Sequence, residues 1–312
     1  MEEKKNKYLT VSAVVLLSIA IAFFLMSREE SSPEIDPAYF SLVDTDQIDK
    51  VTLRTLLDTV VLRYEGSRWR VNDRWEADVQ MIKVLMATLR QTEPHRMISQ
   101  KVIDTVQQQL EQRGTEVVVQ KGGVEVIKFL AGGNAQRTES WFLKAGDTRP
   151  YVMIIPGYRV YVSGIFQLEE EGWRDKRIFE FNWRNFKSLT ASYSKEPKSG
   201  FTMEMKQSYF GIREIAQVDT TKLNDYLDAV SLLEANRFVT GPADSLLKEE
   251  PSARIDIRDI ADRIYTLELF APQKDATEVF GRMADGQLVA FDRNMISSIA
   301  RRRTYFVASG DR

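Results

Sequence analysis

Nucleophilic and metal sites are mostly built from histidine, cysteine and converging carboxylates, and this chain of 312 residues holds one histidine and no cysteine. A catalytic triad or a zinc site needs a histidine held by a second positioned group. His95 follows Pro94 with no such company and is read as a loop residue. The lack of cysteine excludes thiolate chemistry, disulfides and lipoprotein acylation. Asp44, Asp46 and Asp49 could offer oxygen ligands to calcium, but no glycine follows the third acid and no distal glutamate completes an EF-hand loop, so they read as a solvated strand entrance. Gly122-Gly123 and Gly132-Gly133 lack phosphate-loop spacing and read as turn glycines. No catalytic, metal or cofactor-binding residue is assigned, and the chain is expected not to be an enzyme. A hydrolase working through two carboxylates in a cleft is the enzymatic alternative.

The aromatic and charged residues offer binding chemistry instead. Trp69, Trp75, Trp141, Trp173 and Trp183 could stack on sugar rings, the basis of an alternative reading as a polysaccharide- or peptidoglycan-binding module, although three of them lie in strand-like runs where core packing is the default. Arg301, Arg302 and Arg303 form a short basic run that could meet anionic lipid or an acidic partner. The net charge of -2, with no longer basic tract, speaks against nucleic acid.

Several of these side chains recur at a constant offset of 141 residues. Asp78 and Asp219 each precede a run with apolar spacings of three and four, the pattern of a capped amphipathic helix. Just beyond, Glu93 and Arg96 match Glu234 and Arg237, and this spacing predicts a local ion pair near each helix end. Upstream, residues 60–64 and 68–71 match 201–205 and 209–212 as alternating hairpin strands around Glu65-Gly66-Ser67. Downstream, strand-like runs at 116–120, 124–130, 141–144 and 151–155 have counterparts at 254–257, 264–270, 278–283 and 288–291. Short helical pieces are expected after Pro156-Gly157 and over 294–300. The expected fold class is α+β: an N-terminal transmembrane helix, then two tandem copies of a mainly antiparallel sheet-plus-helix domain.

The positioning of the whole body starts at its amino end. From Tyr8 to Ser27 there is no charged residue, and as a helix this run would reach about 30 Å, the thickness of a bilayer core. Lys4, Lys5 and Lys7 lie before it, whereas acidic residues follow Arg28, which places the amino end in the cytoplasm. The run is longer than the apolar core of a cleaved signal peptide. The expected layout is a cytoplasmic tail 1–7, a transmembrane helix 8–27, a linker 28–38, a first repeat 39–176 and a second repeat 177–312, with the protein in a bacterial inner membrane and its body periplasmic.

Trp69-Arg70-Val71, the Ala77-Asp78 helix start, Tyr161-Val162-Ser163 and the run Trp173 to Arg177 resemble a bacterial family of unknown function, DUF4340. The resemblance implies a membrane span with a repeated α/β unit outside, often associated with ABC-type transporters and with auxiliary subunits of gliding-motility-type export systems. It implies no chemistry. The expected function is a non-enzymatic, membrane-anchored accessory or scaffold subunit of such a complex, partnered by the bilayer through residues 8–27 and by a permease, ATPase or auxiliary subunit.

Overall fold

The computed structural model describes residues 35–42, 44–182, 184–206, 209–239 and 249–308. The chain divides into two compact units between Glu170 and Glu171. The first holds β1 (Lys50–Arg54), β2 (Thr59–Glu65), β3 (Arg68–Val71), β4 (Trp75–Glu76), α1 (Val79–Gln91), β5 (Glu93–Met97), α2 (Ile103–Arg113), β6 (Thr115–Lys121), β7 (Val124–Gly133), β8 (Ser140–Lys144) and β9 (Tyr151–Ile154). Its nine strands form one sheet in the order β4-β3-β2-β1-β6-β7-β8-β9-β5, and the pairings are antiparallel.

The second unit holds β10 (Phe186–Tyr193), β11 (Phe201–Lys206), β12 (Tyr209–Ile212), α3 (Thr220–Ser231), β13 (Arg237–Phe238), β14 (Ala253–Asp259), β15 (Ile264–Leu269), β16 (Glu278–Met283), β17 (Leu288–Asp292) and α4 (Arg293–Ile299). Its eight-stranded sheet runs β12-β11-β10-β14-β15-β16-β17-β13. Leaving out β4, the two sheets share one strand order. A hairpin flanks the first strand, a four-strand meander flanks it on the other side, and the strand after the helix closes the far edge.

The expected fold class is corrected by this architecture. The described residues are mostly two antiparallel sheets with few helices, rather than α+β copies in which helix and sheet share the work. The reason is geometric: α1 has 13 residues and is about 20 Å long, whereas nine strands span roughly 38 Å. A 3-10 turn, Val162–Gln167, covers part of the rest by packing on β6, β7 and β8 and against α1. No described helix is long and apolar enough to cross a membrane, and the run 8–27 lies outside the described residues.

Alternation along the strands builds the cores. In the first unit Val51, Leu53, Leu62, Val117, Val119 and Phe129 are buried, and the Phe129 ring lies 4.7 Å from Phe142 and 5.6 Å from Phe166, so the 3-10 turn is pinned by an aromatic cluster. Elsewhere on this sheet, α2 sets Ile103, Val106 and Leu110 beside Trp141 and Leu143. That helix was not foreseen from the sequence, nor was β10; β1 follows the acids 44–49, read as a strand entrance that left its bounds open, and these two strands join hairpin to meander in each sheet.

The four glycines read as turn residues divide into two kinds. Gly122 and Gly123, with φ of +59° and +79°, make the β6–β7 turn. Gly132 and Gly133 lie inside β7 instead, where bare backbone admits close neighbours: a Cβ on Gly132 would sit 2.8 Å from Leu110 Cδ2, and one on Gly133 2.2 Å from the Glu139 carbonyl oxygen.

Candidate functional site

Helix α1 carries more apolar surface than its sheet needs. Asp78 caps it, accepting from the amides of Gln80 at 2.7 Å and Met81 at 3.1 Å. Ile82, Leu85 and Leu89 are buried, and a second stripe through Met81, Val84 and Ala87 lies beside them. This stripe walls a groove of about 650 Å³ whose other side is Tyr158, Val160 and Ile165. Val84 is 48% exposed, Val160 53% and Tyr158 66%, so the groove presents a continuous run of large apolar side chains to solvent.

The second unit differs at the matching positions. At the offset of 141, Met81, Val84 and Ala87 correspond to Lys222, Asp225 and Asp228 of α3. Helix α3 is capped by Asp219, which accepts from the Lys222 amide at 3.1 Å, and it buries the single stripe Leu223, Tyr226, Leu227 and Val230. Asp219 lies below the ordinary carboxylate range, chiefly because of that amide hydrogen bond, with burial opposing. One helix face is thus solvated by charge in the second unit and left apolar in the first. The extra stripe on α1 could have been seen in the sequence by comparing the two helices at this offset.

The groove also lies where the chain enters the first unit. The Ser41 hydroxyl donates to the Arg90 carbonyl at 2.6 Å, and the Leu42 amide donates to the Leu89 carbonyl at 2.9 Å, which sets the entering segment on the carboxyl end of α1. Tyr39 clamps it further: its hydroxyl donates to Asp147 at 2.5 Å, and Lys144 lies 4.2 Å over its ring. The hydrogen bond to Asp147, with burial second, raises the Tyr39 phenol to about 12.

The remaining sequence candidates disperse. Arg96 pairs with Glu139 at 2.6 Å and Arg237 with Glu278 at 2.7 Å, rather than with Glu93 and Glu234. Arg96 lies in β5 and Arg237 in β13, and each reaches an acid brought near by the sheet rather than by the chain: Glu139 at the entrance of β8 and Glu278 in β16. Glu93 lies in β5, and Glu234 pairs in a backbone bridge with Arg177. His95 sits exposed where the β5–β9 register shifts. Asp44 pairs with Lys121 at 3.1 Å, Asp49 accepts from the Gly122 amide at 2.8 Å, and no cluster fit to hold a metal ion occurs among the described residues.

Among the described tryptophans, Trp141 and Trp173 are buried, whereas Trp69, tilted against Tyr64, and Trp75, with Arg74 over its ring, are half-buried; Trp183 lies outside the described residues. The three C-terminal arginines go separate ways. Arg301 lies 4.6 Å over the Tyr305 ring, Arg302 pairs with Glu196 at 2.7 Å, and Arg303 opens a 3-10 turn.

Compared with known proteins, residues 69–253 match the model of a family described as a domain of unknown function, DUF4340. No curated protein and no solved structure matches the chain.

Proposed function

This chain belongs to the DUF4340 family, and from that premise we propose that it is a non-enzymatic accessory subunit of a membrane complex, of the ABC-transporter or export type, held outside the cytoplasm by the uncharged run 8–27. The observation that carries this reading is the apolar groove beside α1, on the same helix face that the second unit makes charged. An amphipathic helix of a membrane-adjacent subunit fits such a groove, burying its apolar stripe against Val84, Tyr158 and Val160.

Tethering strengthens the case. From Ser27 to Ile35 the chain advances eight residues and reaches at most about 28 Å, so the first unit would stay close to the membrane surface. There a partner meets the groove at high effective concentration, and a modest interface suffices for lasting association.

The test is site-specific photo-crosslinking of the full-length chain in its native host, with the reactive group at Val160. A specific adduct with a membrane permease or its associated subunit is expected. Met81→Lys and Val84→Asp together copy the α3 surface onto α1 and should remove that adduct while leaving expression intact. No adduct at Val160, or one indifferent to the paired substitution, would refute the proposal.

A further inference from the structure

The second unit contains a cavity of about 350 Å³ between α4 and the strands beneath it, within the size range of small-ligand sites. Leu269, Phe270, Val279 and Ile296, all buried, line its apolar interior. Of the four charged residues that line it, Lys195, Arg293 and Arg302 are cationic and Glu196 is anionic. Lys195 and Arg293 have no carboxylate partner among the described residues, and Arg293 makes only a 3.3 Å side-chain hydrogen bond to the Ala276 carbonyl. Arg302 is there too, paired with Glu196 at 2.7 Å. The Tyr193 hydroxyl, raised to about 12 by burial, donates to the Arg301 carbonyl and so ties the segment carrying Arg302 against β10.

Several other arginines of this unit are matched by acids: Arg254 with Asp256 and Glu268, Arg263 with Asp259, Arg282 with Glu268. Two cations left uncompensated beside an apolar cavity are complementary to a molecule with an apolar body and one anionic end. We propose that this cavity binds a small amphipathic carboxylate, its hydrocarbon against Leu269, Val279 and Ile296 and its carboxylate between Lys195 and Arg293. The site lies wholly in the second unit and stands or falls separately from the groove of the first.

The test is calorimetric titration of the full-length chain in lipid nanodiscs, with empty nanodiscs as blank, using octanoate, octanol and octylammonium as a series that changes only the head group. Octanoate is expected to bind at least about tenfold more tightly than octylammonium, with octanol between them. Lys195→Glu, at an exposed position, should weaken octanoate about tenfold. Ser297→Trp, which fills the cavity from the exposed side of α4, should abolish binding without lowering the melting temperature. No octanoate binding, equal binding of all three probes, or undiminished binding by the folded Ser297→Trp variant would each overturn the proposal.

Discussion

Replacing Gly133 by alanine tests whether the β7 glycines serve close packing. The new Cβ would lie 2.2 Å from the Glu139 carbonyl oxygen and 2.5 Å from the Tyr161 ring, about 1 Å inside the closest comfortable carbon–oxygen contact. Glu139 stands at the entrance of β8, its carbonyl accepts from the Asn134 amide at 3.2 Å, and both strands are held by the sheet, so neither side yields cheaply. Overpacking of this kind costs about 1–3 kcal/mol, and loss of the hydrogen bond adds about 1 kcal/mol. For a unit of this size that lowers the melting temperature by on the order of 10 °C.

Two controls isolate the cause. At Gly132 the one tight contact of the new Cβ would be the flexible end of Leu110 at 2.8 Å, with Gly114 Cα at an ordinary 3.7 Å, and at Gly122 it would meet nothing within 4 Å, leaving about 1–2 kcal/mol of left-handed backbone strain. Thermal unfolding of the full-length chain followed by circular dichroism should therefore rank Gly133→Ala as the most damaging of the three. Because Tyr161 also lines the α1 groove, Gly133→Ala should weaken partner crosslinking as well. A Gly133→Ala protein melting within about 2 °C of the parent, or above Gly122→Ala, would refute the packing argument.

Asp78→Ala removes the carboxylate oxygen that accepts from two amides and should cost about 1 kcal/mol, seen as faster hydrogen exchange over residues 79–91 with β6 and β7 unchanged. The Tyr226 hydroxyl is buried without a hydrogen-bond partner among the described residues, so Tyr226→Phe should raise or preserve the melting temperature; a loss above about 1 kcal/mol would mean that the hydroxyl is satisfied. Arg237 holds Glu278 below its ordinary value by a side-chain hydrogen bond, with burial opposing. A depressed carboxylate stabilises the fold above its unfolded value near ~4.3 and loses that contribution as pH falls through its folded value. A double-mutant cycle on this exposed pair should give about 0.2–1 kcal/mol at neutral pH, vanishing in acid; coupling that persists in acid would contradict the assignment.

Much of the scaffold could be read from the chain alone because its causes are local. Asp78 and Asp219 cap helices through amides two or three residues away, and Gly66 and Gly122 adopt the positive φ that their turns require. The hairpins and meanders follow from alternation within single strands. The helices, by contrast, were weighted too heavily: a strong period near 3.6 marks that a helix exists, and says nothing of how many strands its sheet holds. α2, with Ile103, Val106 and Leu110 at helical spacing, lies in a segment otherwise rich in glutamine, β1 buries three consecutive residues, and the register of β10 shifts near Phe186, so neither strand shows a clean alternation.

The tertiary structure alone decided what the charged and apolar residues do. Arg96 and Arg237 find Glu139 and Glu278 across 43 and 41 residues, each reaching from an edge strand past one intervening strand, a choice made by the order of strands in the sheet rather than by proximity in sequence. The surplus apolar stripe on α1 was present in the residue pattern of Met81, Val84 and Ala87. That it faces a groove, with Tyr158 and Val160 opposite and solvent between, depends on where the segment after β9 returns across the sheet. Hydrogen bonding within a few residues is specified by the local chain, whereas the burial of a side chain depends on every element that could cover it, and those elements are brought together only when the sheet assembles.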